Sequence, residues 1–137
     1  MADSSNMVLY TALYDNKSDA LSDLDALEDL HQAQVLGKYD AAVIDKEGGK
    51  PHIVKRMDRP EIRVIPELVG GGTLPRKELK EAANELTGAE AALVAAGEPT
   101  LEKAFDEAVK NADRVVKHTL DATTDEVASE LQEAVKN

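Results

Sequence analysis

The chain has no cysteine and no tryptophan, and only one phenylalanine and three tyrosines in 137 residues. Without cysteine there can be no disulfide, no thiolate-held metal and no cysteine nucleophile, and a reducing compartment suits such a chain. Aromatics make up 3% of the residues, too few for a platform on which bases or sugars stack. The core must therefore be built largely of Ala, Val, Leu and Ile. No apolar run approaches the ~20 residues of a membrane helix. Residues 1–6 lack the basic start and apolar stretch of a secretory leader. These absences lead to the expectation of a soluble, cytoplasmic chain, short enough for a single domain over residues 1–137.

Positive charge is also scarce. Sixteen basic residues face 27 acidic ones, for a net charge of −11, which argues against nucleic acid as a partner. The imbalance is uneven. Residues 50–80 carry eight basic and four acidic side chains, a local charge of +4, and the remainder carries −15. Two readings of that segment stand. It binds an anion or an acidic partner, or it lies against acidic helices of its own domain.

What is present alternates between strand and helix signals. Residues 7–14 read as a strand in which Tyr10 and Tyr14 share a face, to pack a core, line a pocket or meet a second subunit. Asp15, Asn16 and Ser18 offer N-caps for a helix to about residue 36, with Ala20, Leu24, Leu27 and His31 as its apolar stripe. Its acids, Asp19, Asp23, Asp25, Glu28 and Asp29, read as the solvated side. Residues 39–46 and 52–57 read as strands joined by a tight glycine turn at Gly48 and Gly49. Pro60, Pro66 and Gly70 to Gly72 interrupt any long element, with a short extended piece possible at residues 62–65. A helix from Pro75 to Leu86 follows, with Leu79, Ala82, Ala83 and Leu86 on its stripe.

The run 89–96 between two glycines fits a strand covered on both faces. Leu101, Ala104, Phe105, Ala108, Val109 and Ala112 mark the next helix. Residues 114–120 form a final strand, and Thr123 with Glu126 forms a capping box for a last helix burying Val127, Leu131, Ala134 and Val135. The chain thus divides into a β-α-β-β unit (6–58), a basic Gly-rich insert with a helix (59–87), and a β-α-β-α unit (88–137). Two β-α-β units sharing one sheet predict an α+β, ferredoxin-like sandwich with helices on one face. The other face then needs extra helices or a second subunit.

Several stretches carry a resemblance: Leu86-Thr-Gly-Ala-Glu-Ala-Ala-Leu-Val, Thr100-Leu-Glu-Lys-Ala, Arg114-Val-Val-Lys-His-Thr-Leu-Asp-Ala, the opening strand with Tyr14-Asp15, and Tyr39-Asp40-Ala-Ala-Val-Ile. Together they resemble an uncharacterised bacterial family classed as a domain of unknown function, often stress-related or membrane-associated. Its members usually separate their two halves by a Gly/Ala-rich hydrophobic segment. Only Leu68-Val-Gly-Gly-Gly-Thr-Leu-Pro occupies that place here, so any membrane role implied by the resemblance would lose its anchor. The resemblance supplies no catalytic residue.

No motif of known chemistry appears. Gly70, Gly71 and Gly72 ahead of Arg76 and Lys77 could cradle an anion with backbone N–H groups, joined by Arg56 and Arg59, or could serve as a hinge. The spacing is neither that of a P-loop nor that of a dinucleotide fingerprint. His31, His52 and His118 form no local ligand pair. His52 and His118 could meet across neighbouring strands near Asp45 or Asp121 to hold a metal, but a structural role for each is the plainer reading. No cofactor and no catalytic set is expected. By exclusion, the sequence suggests a non-enzymatic binding or assembly module that forms a homo-oligomer, a dimer, through a sheet face. The competing readings are a small-ligand enzyme or anion binder using residues 50–80, and reversible membrane association.

Overall fold

A computed structural model describes residues 6–33, 39–47, 50–57, 77–85, 90–99, 101–123, 126–127, 129–130 and 133. In chain order these form β1 (Asn6–Tyr14), α1 (Lys17–Ala33), β2 (Tyr39–Glu47), β3 (Lys50–Arg56), α2 (Lys77–Glu85), β4 (Ala91–Gly97), α3 (Leu101–Ala108) and β5 (Arg114–Thr123). Residues 126, 127, 129, 130 and 133 are helical. The class is α+β, and the described strands form one five-stranded sheet in the order β3-β2-β4-β1-β5. Every neighbouring pair is antiparallel.

That order interleaves the two halves. β1 and β2 run in the same direction with β4 between them, and β4 and β5 run together with β1 between them. Each strand-helix-strand unit therefore leaves a gap that a strand of the other fills. β4 occupies the centre with the sequence Ala-Ala-Leu-Val-Ala-Ala-Gly, and all seven residues are buried. Alanine is a weak strand former. β4 is nonetheless a strand because both of its edges are paired, to β1 and to β2. Its small side chains also let helices approach both faces closely.

Capping fixes two helix starts. The Asn16 side chain accepts a hydrogen bond from the Asp19 N–H at 2.8 Å, and Asn16 Nδ2 donates to the Asp19 carboxylate at 3.1 Å. The Thr123 N–H donates to Glu126 at 3.0 Å while the Glu126 N–H donates to the Thr123 hydroxyl at 3.2 Å, the reciprocal box expected from the sequence. The β2–β3 register closes at Glu47 opposite Lys50, around Gly48 and Gly49.

The sheet has two unlike faces. On one, α1 and α3 cover Val8, Tyr10, Ala12, Tyr14, Tyr39, Ala41, Val43, Leu93 and Ala95 with Ala20, Leu24, Leu27, Leu101, Ala104, Phe105 and Ala108. All of the chain's aromatics lie in this layer. On the other, Leu79 and Ala82 of α2, with Val127, cover Met7, Leu9, Ala42, Ile44, Ala92, Val94, Ala96, Leu120 and Ala122. The second face is thus met by the extra helix from within the chain. The extended piece expected at residues 62–65, with Pro75, Leu86, Leu131, Ala134 and Val135, lies outside the described residues.

Candidate functional site

The basic segment is the first place to look. Among the described strands β3 is an edge, and its Lys55 and Arg56 meet acids of the same chain. Arg56 donates from Nε and Nη2 to the two carboxylate oxygens of Asp40, each at 2.9 Å. Asp40 is completely buried, and Arg56 is the charge that compensates it. Lys55 Nζ lies 3.1 Å from Asp25 of α1, and His52 Nδ1 lies 3.0 Å from Asp45, its cross-strand neighbour. Lys17 approaches the second Asp45 oxygen at 3.8 Å. Of the proposed anion cradle, Lys77 is exposed at the start of α2. Arg59, Gly70, Gly71, Gly72 and Arg76 lie outside the described residues. Of the described basic side chains, Lys55 and Arg56 lie against acids of the same chain, and Lys77 and Lys80 are exposed.

The histidines do not converge. His52 is on β3 and His118 on β5, at opposite ends of the described strand order. Four strand spacings of about 4.8 Å place them roughly 19 Å apart, so the expected meeting across neighbouring strands is corrected. Only the nearness of Asp45 to His52 is retained. His31 falls on α1. Among the described residues, no group of three or more His, Cys, Asp or Glu side chains is placed to hold a metal.

The tyrosine face is a packed layer with two polar ties. Tyr10 stacks on Phe105, with ring centroids 4.5 Å apart and planes 16° from parallel. Its hydroxyl donates to Glu102 at 3.1 Å, and Lys117 pairs with the same carboxylate while lying 5.9 Å from the Tyr10 ring centre. Lys117 and the Tyr10 hydroxyl hold the Glu102 carboxyl below its ordinary range. Burial, with Glu102 nearby, pushes the Tyr10 phenol well above its ordinary value.

The second tie overturns an expectation. Asp23 is not on the solvated side of α1; it is 2% exposed. It accepts hydrogen bonds from the Tyr14 hydroxyl at 2.7 Å, from the Asn111 N–H at 3.1 Å and from Asn111 Nδ2 at 2.8 Å. Burial, then the bond to Asp23, drives the Tyr14 phenol far up. The signal was legible: Ala20, Asp23, Leu24 and Leu27 follow helical spacing, so Asp23 belongs to the apolar stripe. Asp40 was missed for a parallel reason. Strand alternation puts Asp40 with Ala42 and Ile44 on the inward face, and the hairpin brings Arg56 to meet it. Both carboxylates join elements together, and neither is open to a substrate.

Two further groupings are electrostatic. Asp113 is raised above its ordinary value by a hydrogen bond with Asp15, then by desolvation and the charges of Asp15 and Asp19. On the α2 face, His118 Nε2 lies 3.1 and 3.2 Å from the two oxygens of Glu85, and Nδ1 lies 3.9 Å from Glu81. Neither glutamate was singled out by sequence, because their meeting with β5 depends on where α2 docks.

Among the described residues, no helix is long and apolar enough to cross a membrane. No family model, no curated protein and no solved structure matches this chain. Function is therefore read from the chain's own geometry.

Proposed function

We propose that the chain is a non-enzymatic binding or assembly module of the cytoplasm that self-associates along the β5 edge of a ferredoxin-like sandwich. The order β2-β4-β1-β5, with α1 and α3 as the crossovers, supports the fold reading, with β3 as a strand added beyond β2. The lack of cysteine supports the compartment. The working surface is an edge because α1 and α3 cover one sheet face and α2 with Val127 covers the other.

The difference between the two edges carries the proposal. β3 is blunted. Pro51 has no N–H to offer a further strand. β5 is longer, at ten residues, contains no proline, and among the described residues pairs with β1 alone. Val115 on β5 is 47% exposed, the exposed large hydrophobic of the described surface. The occupant is a second copy, added antiparallel about a twofold axis normal to the sheet.

Light scattering during size-exclusion chromatography, over roughly 1 to 500 μM, reads the outcome; such edge dimers populate within that range when contacts are small. The wild-type chain elutes as a dimer at the upper end, and Val115→Lys as a monomer throughout. A strictly monomeric wild type, or a dimer unmoved by Val115→Lys, overturns the proposal.

A further inference from the structure

We infer that α3 governs how tightly two copies join: pairing β5 with its copy sets the two α3 helices side by side, with Glu102 and Asp106 of each facing the other helix. The inference rests on the proposed β5 dimer and adds an electrostatic brake to it.

The position of α3 follows from its neighbours. α1 packs on β2 and β4 and lies beside α3. α3 therefore occupies the β1 and β5 side of the same sheet face, with Phe105 stacked on Tyr10 of β1 and Glu102 reaching Lys117 of β5. The twofold axis of an antiparallel β5 pair runs half a strand spacing beyond β5. A helix over the midline of β1 and β5 stands one spacing, about 4.8 Å, from that axis. The two α3 axes are then about 10 Å apart, the distance at which helices pack. A β5 dimer is thus also a helix pair, and the flank that α3 turns toward β5 enters the seam.

The side chains on that flank give the sign. Leu101, Ala104, Phe105 and Ala108 form the buried side of α3. Glu102 marks the flank toward β5, because the Tyr10 hydroxyl and Lys117 both meet it. Asp106 and Val109 follow it at helical spacing on the same flank. The Asp106 charge bears on the Tyr10 phenol, as that placement requires. Lys103 and Lys110 fall on the outward side, and Glu107 turns toward α1. The twofold therefore brings Glu102 and Asp106 of one copy against the same two acids of the other, and like charges across such a seam oppose association. Lys117 offsets Glu102 within each copy, so Asp106 is the stronger part of the brake. Val109 and Val115 supply the apolar contact that it works against.

Analytical ultracentrifugation of the full chain at roughly 50 mM salt, where surface charges are weakly screened, compares the dimer dissociation constants of wild type, Asp106→Lys and Glu107→Lys. Both residues are exposed, and the two substitutions change the net charge equally. Asp106→Lys tightens the dimer about tenfold, because each substituted side chain now attracts the partner's Glu102 and symmetry counts that contact twice. Glu107→Lys, on the other flank, tightens it about twofold at most, through net charge alone. Adding Val115→Lys to Asp106→Lys returns the chain to monomer. Equal effects of Asp106→Lys and Glu107→Lys, or no effect of Asp106→Lys on a wild type that dimerises, overturn the brake and leave the β5 dimer standing. A monomeric wild type whose Asp106→Lys variant dimerises, and loses that dimer with Val115→Lys, upholds the brake while the wild-type dimer falls. If wild type and Asp106→Lys are both monomeric throughout, brake and dimer fall together.

Discussion

The two faces of the sheet are built by different physics. Under α1 and α3 the layer is deep and aromatic: Tyr10, Tyr14, Tyr39 and Phe105 fill it, and the polar ends of Tyr10 and Tyr14 find carboxylates. Under α2 the layer is aliphatic and, among the described residues, is closed by α2 and Val127, with ion pairs at its borders. Asp40 sits at its β2 corner against Arg56, and His118 at its β5 side between Glu81 and Glu85. The aromatic face carries volume, with the exposed pairs Lys55–Asp25 and Lys117–Glu102 at its rim. Among the described residues, the aliphatic face is covered by fewer helical side chains. That division makes α2 the element expected to open first, well below the free energy of global unfolding.

The strongest way to break this contrast is to remove the aromatic wedge. Phe105→Ala empties a fully buried site stacked on Tyr10 and should cost about 3–5 kcal/mol in chemical denaturation, with every probe moving together. A small loss confined to α3 would mean that this face does not carry the global stability. Next comes Arg56→Ala. It leaves the buried Asp40 carboxylate without its guanidinium, and should cost about 3 kcal/mol, the low end for a broken buried pair because Arg56 itself is a quarter exposed. A paired change, Asp40→Leu with Arg56→Met, should recover most of that loss. A double variant as unstable as the single one would show that the ion pair, and not the uncompensated charge, sets the cost.

The smallest effect lies at the centre of the aliphatic face. The Thr11 hydroxyl is buried with no hydrogen-bond partner among the described residues. Thr11→Val keeps the shape and removes the unmet donor, so denaturation should show no loss and a gain of up to about 1 kcal/mol. A clear destabilisation would reveal a partner for that hydroxyl and add a polar tie to a face described here as aliphatic.

Local signals told a good deal. Ala20, Leu24 and Leu27 lie inward on α1 at the expected spacing. Leu101, Ala104, Phe105 and Ala108 do so on α3, and Leu79 and Ala82 on α2. Both caps that were expected at Asn16 and Thr123 formed. These are short-range facts, set by periodicity and by side chains reaching their own backbone. One failure was local and the others are long-range. Asp23 was read as solvated because it is charged, although its position lies within the stripe. His52 and His118 were brought together because both lie on strands, although strand order is not written in any one strand. The Lys55–Asp25 pair depends on which helix lies across β3.

For this protein the sequence by itself determined the described elements, their inward faces, the pairing of β2 with β3, and the absence of cysteine chemistry. These follow from the geometry of one helix turn or one pleat. Tertiary structure alone decided the strand order β3-β2-β4-β1-β5, and with it which edge is blunted, where the two buried carboxylates find their partners, and that His118 stands between two glutamates of α2. Pairing between distant segments reflects which buried faces match best once the chain has collapsed. No local pattern of charge or hydrophobicity encodes that comparison.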